Sequence, residues 1–346
     1  MYESFYRLTG KPFQLNPDPS FFFASRGHKR AFAYLEYGLY QSEGFIVITG
    51  EIGAGKTTLV RSLLEQLDPS KVVAAQIVST QLDADEMLRA VGVAFGLPVR
   101  TVDKAVLLAS IEAFLCQLTV DKKRALLVVD EAQNLSDRAL EELRMLSNFQ
   151  LGDQALLQSF LIGQPELRQM MQGTQMQQLR QRVIASYHLG PLDPAETKSY
   201  IEHRLRHVNW NEDPSFEPEC FSLIHNYTNG IPRKINTLCN RLLLAAYLGE
   251  KHTLTANDVQ NVANEIDEEL GMDAGRGAMS VVTTGSPAGE STLSMRSEPK
   301  YWHRHLEHLD ERMDRLERTV STAVDLLHRL LHPDKSGDEP GTGTQR

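Results

Sequence analysis

The chain has 346 residues, 41% of them hydrophobic, and a formal net charge of −9. This length and apolar content allow two or three compact units with buried cores, which excludes general disorder. The acidic balance excludes a broad attraction to nucleic acid or anionic lipid, although a local basic patch stays open.

The chain carries no sequence signal for secretion or for crossing a membrane. Its first residues lack the basic start and apolar run of a signal peptide. No uninterrupted apolar stretch approaches the ~20 residues that span a bilayer. We therefore expect a cytoplasmic protein with no transmembrane segment. Attachment to the inner membrane through a partner protein is the alternative.

Residues 1–43 are predicted to form an N-terminal flank. Its prolines at Pro12, Pro17 and Pro19 predict extended turns, because the residue before a proline avoids the helical region. Apolar residues at spacings of three and four then predict a helix from about His28 to Leu39.

From Gly44 onward, short β-branched runs alternate with helical segments. The predicted strands span residues 45–49, 72–78, 125–129, 159–162 and 183–189. The predicted helices between them span residues 57–67, 84–95, 104–118 and 136–149. The alternation predicts an α/β domain over residues 44–192, with a largely parallel five-stranded sheet covered on both faces. Ligands of such sheets bind at the carboxyl ends of the strands.

The strand pattern stops after Pro194. Helical segments at residues 195–207, 217–228, 232–248 and 256–270 predict a separate all-helical domain over residues 193–270. Residues 271–299 are rich in Gly, Ser, Thr and Met, which predicts a flexible linker.

Apolar residues from Trp302 to Leu330 recur in alternating steps of four and three. This heptad stripe predicts an amphipathic coiled-coil helix over residues 300–332, which could self-associate or bind a partner helix. A helix that folds back onto the helical domain is the alternative. Residues 333–346 are predicted to be a disordered tail.

A phosphate-binding loop is the strongest motif in the chain. Residues 50–57 fit G-x-x-x-x-G-K-[ST] at every position, between a predicted strand and a predicted helix. Glycines let the backbone wrap around a phosphate, Lys56 can reach the β- and γ-phosphates, and the Thr57 hydroxyl can bind Mg²⁺. We therefore predict a site for ATP and Mg²⁺. Its residues are Gly50, Glu51, Ile52, Gly53, Ala54, Gly55, Lys56, Thr57 and Thr58.

Polar side chains follow two later strands of the predicted sheet. Asp130 and Glu131 end the third strand, where Asp130 can hold Mg²⁺ through water and Glu131 can activate the attacking water. Gln164 follows the fourth strand and could contact the γ-phosphate or that water. A simple turn residue is the alternative for Gln164. The sequence thus predicts ATP hydrolysis.

Together these features resemble the P-loop AAA+ ATPases. Within that class the chain is similar to the A-component ATPases of general secretion, and most to the ATPase associated with PEP-CTERM/exosortase export and exopolysaccharide loci. The resemblance spans residues 1 to about 270. It implies a P-loop AAA+ αβα sandwich followed by a helical lid domain. Its marks are Phe13, Asn16-Pro17-Asp18-Pro19, Gly163-Gln164-Pro165-Glu166-Leu167 and Gly230-Ile231-Pro232-Arg233.

The resemblance implies roles for further residues. Arg233 matches the lid arginine that senses the γ-phosphate. Arg182 matches the position from which a neighbouring subunit receives an arginine finger, with Arg180 as its rival. A surface role is the alternative for each of these arginines. An arginine finger implies a homo-oligomer.

The implied function is an ATP-driven motor or switch that assembles or remodels a bacterial export or exopolysaccharide apparatus, with a protein partner bound through the C-terminal helix. General-secretion A-components typically continue into a transmembrane helix and a wall-binding part, and we expect neither here.

Two alternative functions are also compatible with the sequence. One is a DNA-acting ATPase of the transposition or replication-initiator type, which the acidic balance disfavours. The other is a nucleotide-gated scaffold.

Overall fold

The structure is a computed structural model that describes residues 1–78, 81–99, 103–269 and 271. The predicted coiled-coil helix, the tail and all but Gly271 of the predicted linker lie outside the described residues. Within these residues, no helix combines the length and the apolar character needed to cross a membrane.

The described strands form a five-stranded sheet and two small two-stranded pairs. They are β1 (Phe45–Gly50), β2 (Val72–Val78), β3 (Arg124–Asp130), β4 (Gln150–Leu151), β5 (Gln154–Ala155), β6 (Leu157–Gly163), β7 (Val183–Leu189), β8 (Ser215–Phe216) and β9 (Thr253–Leu254). The large sheet has the order β2-β3-β6-β1-β7, and all of its neighbouring strands are parallel. The predicted five-stranded parallel sheet is therefore confirmed.

The helices also follow the predicted segments, with ends shifted by a few residues. They are α1 (Tyr2–Phe5), α2 (Arg26–Gln41), α3 (Lys56–Gln66), α4 (Ala84–Ala94), α5 (Lys104–Val120), α6 (Asp137–Leu146), α7 (Pro165–Gln172), α8 (Gln177–Arg180), α9 (Pro194–His207), α10 (Pro218–Thr228), α11 (Pro232–Leu248) and α12 (Ala256–Glu269). The short helices α7 and α8 lie between β6 and β7, where no helix is predicted from the sequence.

The sheet is buried on both faces, which explains why its central strands read as continuous apolar runs. Alternate residues of β1 point to opposite sides: Phe45 and Val47 pack with α4, α5 and α6, whereas Ile46 and Ile48 pack with α2 and α3. Each such fully buried side chain contributes about 1.5–3 kcal/mol. The resulting αβα sandwich brings the carboxyl ends of β1, β3 and β6 to one edge.

The N-terminal flank is divided between two cores, which the sequence does not predict. Its helix α2 packs on the sheet, but Tyr2, Tyr6 and Phe13 are buried among α9 to α12. Arg204 of α9 is buried and holds this segment in place. Its Nε atom donates a hydrogen bond to the carbonyl oxygen of Pro12, at 2.5 Å. The first part of the flank therefore packs with helices α9 to α12, which together are called the helical segment below.

Candidate nucleotide site

The P-loop connects the end of β1 at Gly50 to the start of α3 at Lys56. Gly53 and Gly55 have φ angles of 83° and 99°, in a region that side-chain-bearing residues rarely adopt. A Cβ atom on Gly55 would lie 2.7 Å from Nε2 of His28. The loop therefore needs glycine for its backbone conformation and for its close packing.

Lys56 lies at the centre of this loop and is only 6% exposed. Its Nζ atom donates to the carbonyl oxygens of Gly50 and Glu51, at 2.7 and 3.0 Å. Burial lowers the pKa of Lys56, and the nearby carboxylates of Glu131 and Asp130 act against that shift. An ammonium group held against backbone carbonyls beside an open cleft is suited to binding a phosphate.

Asp130 and Thr57 meet at the end of β3. Thr57 Oγ1 donates to Oδ2 of Asp130 at 3.0 Å, and Oδ1 accepts from the Glu131 N–H at 3.0 Å. Burial raises the pKa of Asp130, although these hydrogen bonds favour its charged form. A hydroxyl and a carboxylate at this distance are oxygen ligands of the kind that Mg²⁺ takes, so the residues fit the predicted metal.

Glu131 follows directly and has a left-handed backbone, with φ at 53°. Its Oε2 atom accepts from Gln133 Nε2 at 2.6 Å and from Gln164 Nε2 at 3.0 Å. Burial would raise the pKa of Glu131, but the hydrogen bonds from Gln133 and Gln164 act against it. The positive charges of Lys56 and Arg233 add to this effect, and the net pKa lies below its usual value. Glu131 is therefore ionised at neutral pH.

A cleft of about 200 Å³ opens beside the P-loop. Ile52, Gly53, Gly55, Thr58 and Glu131 line it, together with Lys56 and Thr57. The opposite wall comes from the N-terminal flank and the helical segment. That wall includes Gln14, Leu15, Asn16, Pro17, Asp18, Phe21, Phe22, Phe23, His28, Leu192, Tyr200, Arg204, Pro232, Arg233 and Asn236. Of the predicted site residues, Gly50, Glu51, Ala54, Asp130 and Gln164 do not line the cleft. Gln164 reaches it only through its hydrogen bond to Glu131.

Arg233 enters the cleft from the first turn of α11. Gly230, with φ at 68°, lets the chain turn tightly before this helix, since a Cβ atom there would lie 2.1 Å from the carbonyl oxygen of Leu192. Pro232 then starts the helix. The backbone N–H of Arg233 donates to the carbonyl oxygen of Gly53 at 3.1 Å. The sequence Gly-Ile-Pro-Arg thus places an arginine directly against the P-loop.

Arg182 and Arg180 lie away from the cleft. Arg182 precedes β7, whose amino end is at the sheet edge opposite the P-loop because β7 runs parallel to β1. Arg182 Nη1 donates to the carbonyl oxygen of Ser147 at 3.0 Å, at the end of α6. Arg180 is exposed and donates to the carbonyl oxygen of Gln172 at 2.9 Å. Neither arginine contacts the cleft of its own chain.

Two polar residues that contact the P-loop or Glu131, Gln133 and His28, carry no motif in the sequence. Gln133 has no motif of its own and reaches Glu131 only because residues Ala132–Asn134 form a 3₁₀ turn. His28 reads simply as the start of a helix, yet it is 5% exposed and its Nδ1 atom lies 2.7 Å from Oγ of Ser25. Burial lowers the pKa of His28 to about 4. Polar residues next to predicted turns are the only signal that could have indicated either one.

The sequence of this chain is similar to those of known proteins. Residues 39–171 match a family model described as an AAA domain. The chain is also 38% identical over 267 residues to the General secretion pathway protein A of Aeromonas hydrophila, a match that covers 77% of this chain and 48% of that protein. The chain therefore spans about half the length of this relative.

Solved structures of other proteins share the fold of this chain. The ORC2 protein of Aeropyrum pernix, in ADPNP–ADP complexes, has a TM-score of 0.56 and 19% identity, over 74% of this chain and 71% of that one. The Cdc6p protein of Pyrobaculum aerophilum has a TM-score of 0.57 and 15% identity, over 76% and 74% of the two chains. At such low identity the likeness shows the fold alone, a P-loop AAA-type α/β fold.

Proposed function

We propose that this chain binds ATP with Mg²⁺ in the cleft beside its P-loop and hydrolyses the ATP. The observation that supports this most directly is that Lys56, the Thr57–Asp130 pair and Glu131 lie together at one edge of the sheet. A lysine with a purely structural role, or two acidic residues adjacent by chance, would not require all four groups to lie at the same place. Hydrolysis of a triphosphate needs all of these groups together.

The phosphates would bind to the N–H groups of the P-loop and to the ammonium group of Lys56. Thr57 and Asp130 would hold Mg²⁺, which lowers the negative charge that an attacking water meets. Glu131 is ionised, and its carboxylate lines the cleft. It would accept the proton of the attacking water, and Gln164 would position that water or contact the γ-phosphate.

Residues 193–270 would act as a lid that responds to the bound nucleotide. Arg233 supports this role because its backbone is bonded to Gly53 of the P-loop. Its positive charge also lowers the pKa of Glu131, so it acts on the catalytic carboxylate. A γ-phosphate at the loop would attract the guanidinium group of Arg233, and loss of that phosphate would release it. The nucleotide would thereby bias the lid position.

A second copy of the chain would complete the site. Arg182, with Arg180 as the rival, does not line the cleft of its own chain and lies before the amino end of β7, at the sheet edge opposite the P-loop. The arginine would therefore act on the nucleotide of a neighbouring copy. The chain would therefore work as a homo-oligomer in which one subunit supplies the arginine finger of the next.

The hydrolysis would power or switch the assembly of a bacterial protein-export or exopolysaccharide apparatus, of the PEP-CTERM/exosortase type. The 38% identity to a general secretion protein supports an export setting. The heptad stripe of residues 300–332 would bind the protein partner, and the protein would work in the cytoplasm or at the inner membrane through that partner.

Calorimetry with purified full-length protein tests nucleotide binding. We expect heat on titration of ATP with Mg²⁺ into the wild type, and none with the Lys56→Ala variant, because Lys56 supplies the buried charge. Lys71→Ala, an exposed lysine outside the cleft, is the control and should bind like the wild type. Absence of heat with folded wild-type protein would refute the proposed function.

Affinity capture tests the export setting. The Glu131→Gln variant, loaded with ATP, should hold its partner because it binds ATP without hydrolysing it. We expect to recover components of an export or exopolysaccharide apparatus. Recovery of replication or transposition proteins together with DNA would instead favour the DNA-acting alternative.

A further inference from the structure

Gln133 connects the ends of two neighbouring strands at the nucleotide site. It follows β3 in the turn Ala132–Asn134, and its side chain turns back toward Glu131. At its other end, its Oε1 atom accepts a hydrogen bond from the backbone N–H of Gln164, which follows β6, at 3.0 Å. One amide group therefore joins the carboxylate after β3 to the loop after β6.

The orientation of this amide is fixed by chemistry. A backbone N–H can only donate, so the Gln133 atom that faces Gln164 N is the oxygen. The amino group must then face Glu131, where it donates to Oε2 at 2.6 Å. Gly163 allows this fit, because a Cβ atom there would lie 2.8 Å from Oε1 of Gln133.

The two oxygens of Glu131 are consequently different. Oε2 accepts from Gln133 and also from Gln164 Nε2, at 3.0 Å. Within the described residues, no hydrogen bond reaches Oε1. A carboxylate that is held by one oxygen keeps the lone pairs of the other available to a water molecule.

We infer that Gln133 is the positioning residue for the hydrolysis proposed above: it holds Glu131 through Oε2 so that Oε1 receives the proton of the attacking water. The water oxygen bonds to the γ-phosphorus as its proton passes to Oε1. The bond from that phosphorus to the β–γ bridging oxygen breaks, and ADP and phosphate result. If Gln164 turns toward the γ-phosphate, Gln133 alone keeps the carboxylate oriented.

The competing explanation is that Gln133 merely ties the β3 turn to the β6 loop. Two variants separate the explanations. Gln133→Glu keeps an acceptor for the Gln164 N–H but replaces the donor to Glu131 with a like charge, whereas Gln133→Ala removes both contacts. Gln154→Glu, in the exposed hairpin strand β5, is the matched control.

The experiment measures ATP affinity by calorimetry and ATP turnover for the full-length wild type, Gln133→Glu, Gln133→Ala and Gln154→Glu. Positioning predicts that affinity stays within about two-fold, while turnover by both Gln133 variants falls at least about ten-fold, since small misplacements of a catalytic group cost this much. Gln154→Glu should behave like the wild type. Wild-type turnover in both Gln133 variants, or a fall in affinity that accounts for the lost turnover, would overturn the inference.

A second measurement uses the background of Glu131→Gln. If Gln133 acts only through Glu131, adding Gln133→Ala should change the residual turnover by less than about two-fold. If Gln133→Ala still lowered turnover about ten-fold in the Glu131→Gln background, the inference would be overturned. Unfolding of both Gln133 variants, detected by thermal melting, would also overturn the inference, because that result would make Gln133 a structural tie. A wild-type protein that binds ATP but never hydrolyses it would refute the proposed hydrolysis itself, and the inference with it.

Discussion

Gly53 of the P-loop and Arg233 of α11 are in direct contact. The Arg233 N–H donates to the Gly53 carbonyl oxygen at 3.1 Å, and a Cβ atom on Gly53 would lie 2.3 Å from Cβ of Arg233. The first turn of α11 therefore rests on the loop where phosphates are proposed to bind. Any movement of the loop around a nucleotide must displace this helix or be resisted by it.

The Gly53→Ala variant should bind ATP at least about ten-fold more weakly than the wild type, because its methyl group would push α11 off the loop that cradles the phosphates. Calorimetry with ATP and Mg²⁺ measures the change. Gly152→Ala is the control, since Gly152 also has a positive φ, of 63°, but no atom within 4 Å of the added methyl. It should lose about 1 kcal/mol of stability from backbone strain and keep its ATP affinity. Equal ATP affinity in both variants would contradict the role of this contact.

The Arg233→Ala variant should lose the ability to distinguish ATP from ADP. A charge-assisted contact to the γ-phosphate contributes about 1.5–3 kcal/mol, so ATP affinity should fall about ten-fold or more while ADP affinity changes little. Lys234→Ala, at the adjacent exposed position, is the control. A parallel loss of ATP and ADP affinity in Arg233→Ala would show that Arg233 does not sense the γ-phosphate.

The sequence predicts those parts of the molecule that depend on neighbours in the chain. The P-loop is one contiguous motif, and four of the six residues of β1 are β-branched, so the positions of both could be predicted closely. Contacts between distant segments could not be predicted. Tyr2 packs among the C-terminal helices, and Gln133 meets Gln164, because of how the whole chain folds. No local pattern of period 2 or 3.6 records such contacts.

The buried ring of His28 should make stability depend on pH. Its pKa is lowered to about 4 by burial, so between pH 6.5 and 4 the unfolded chain binds a proton that the folded chain does not. The contribution of the neutral His28 ring to the free energy of unfolding is therefore fully present above pH 6.5 and is lost as the pH falls toward 4. Between pH 7.5 and pH 5, the wild type should lose about 2 kcal/mol more unfolding free energy than His28→Gln. Denaturant titrations at both pH values measure this difference, and identical losses would refute it.

Mixing two inactive variants tests whether Arg182 acts in a neighbouring subunit. Arg182→Ala keeps its cleft intact but lacks the proposed finger, whereas Lys56→Ala has the arginine but a defective P-loop. Alone, each should hydrolyse ATP at least about a hundred-fold more slowly than the wild type. An equimolar mixture should regain a substantial fraction of wild-type turnover, because Lys56→Ala subunits can complete the sites of Arg182→Ala subunits.

Arg180→Ala is the comparison for this experiment. Arg182 also donates to the Ser147 carbonyl at the end of α6, so Arg182→Ala should lose about 1 kcal/mol of stability, which thermal melting measures separately. Arg180 makes an exposed contact and should have a smaller effect on melting. If Arg180→Ala rather than Arg182→Ala is inactive alone and restored by Lys56→Ala, then Arg180 is the finger. If Arg182→Ala and Arg180→Ala each keep wild-type turnover alone, then hydrolysis needs neither arginine, and Arg182 serves only to hold α6 and β7 together. If either variant is folded and inactive but no mixture regains turnover, then its arginine does not act in a neighbouring copy.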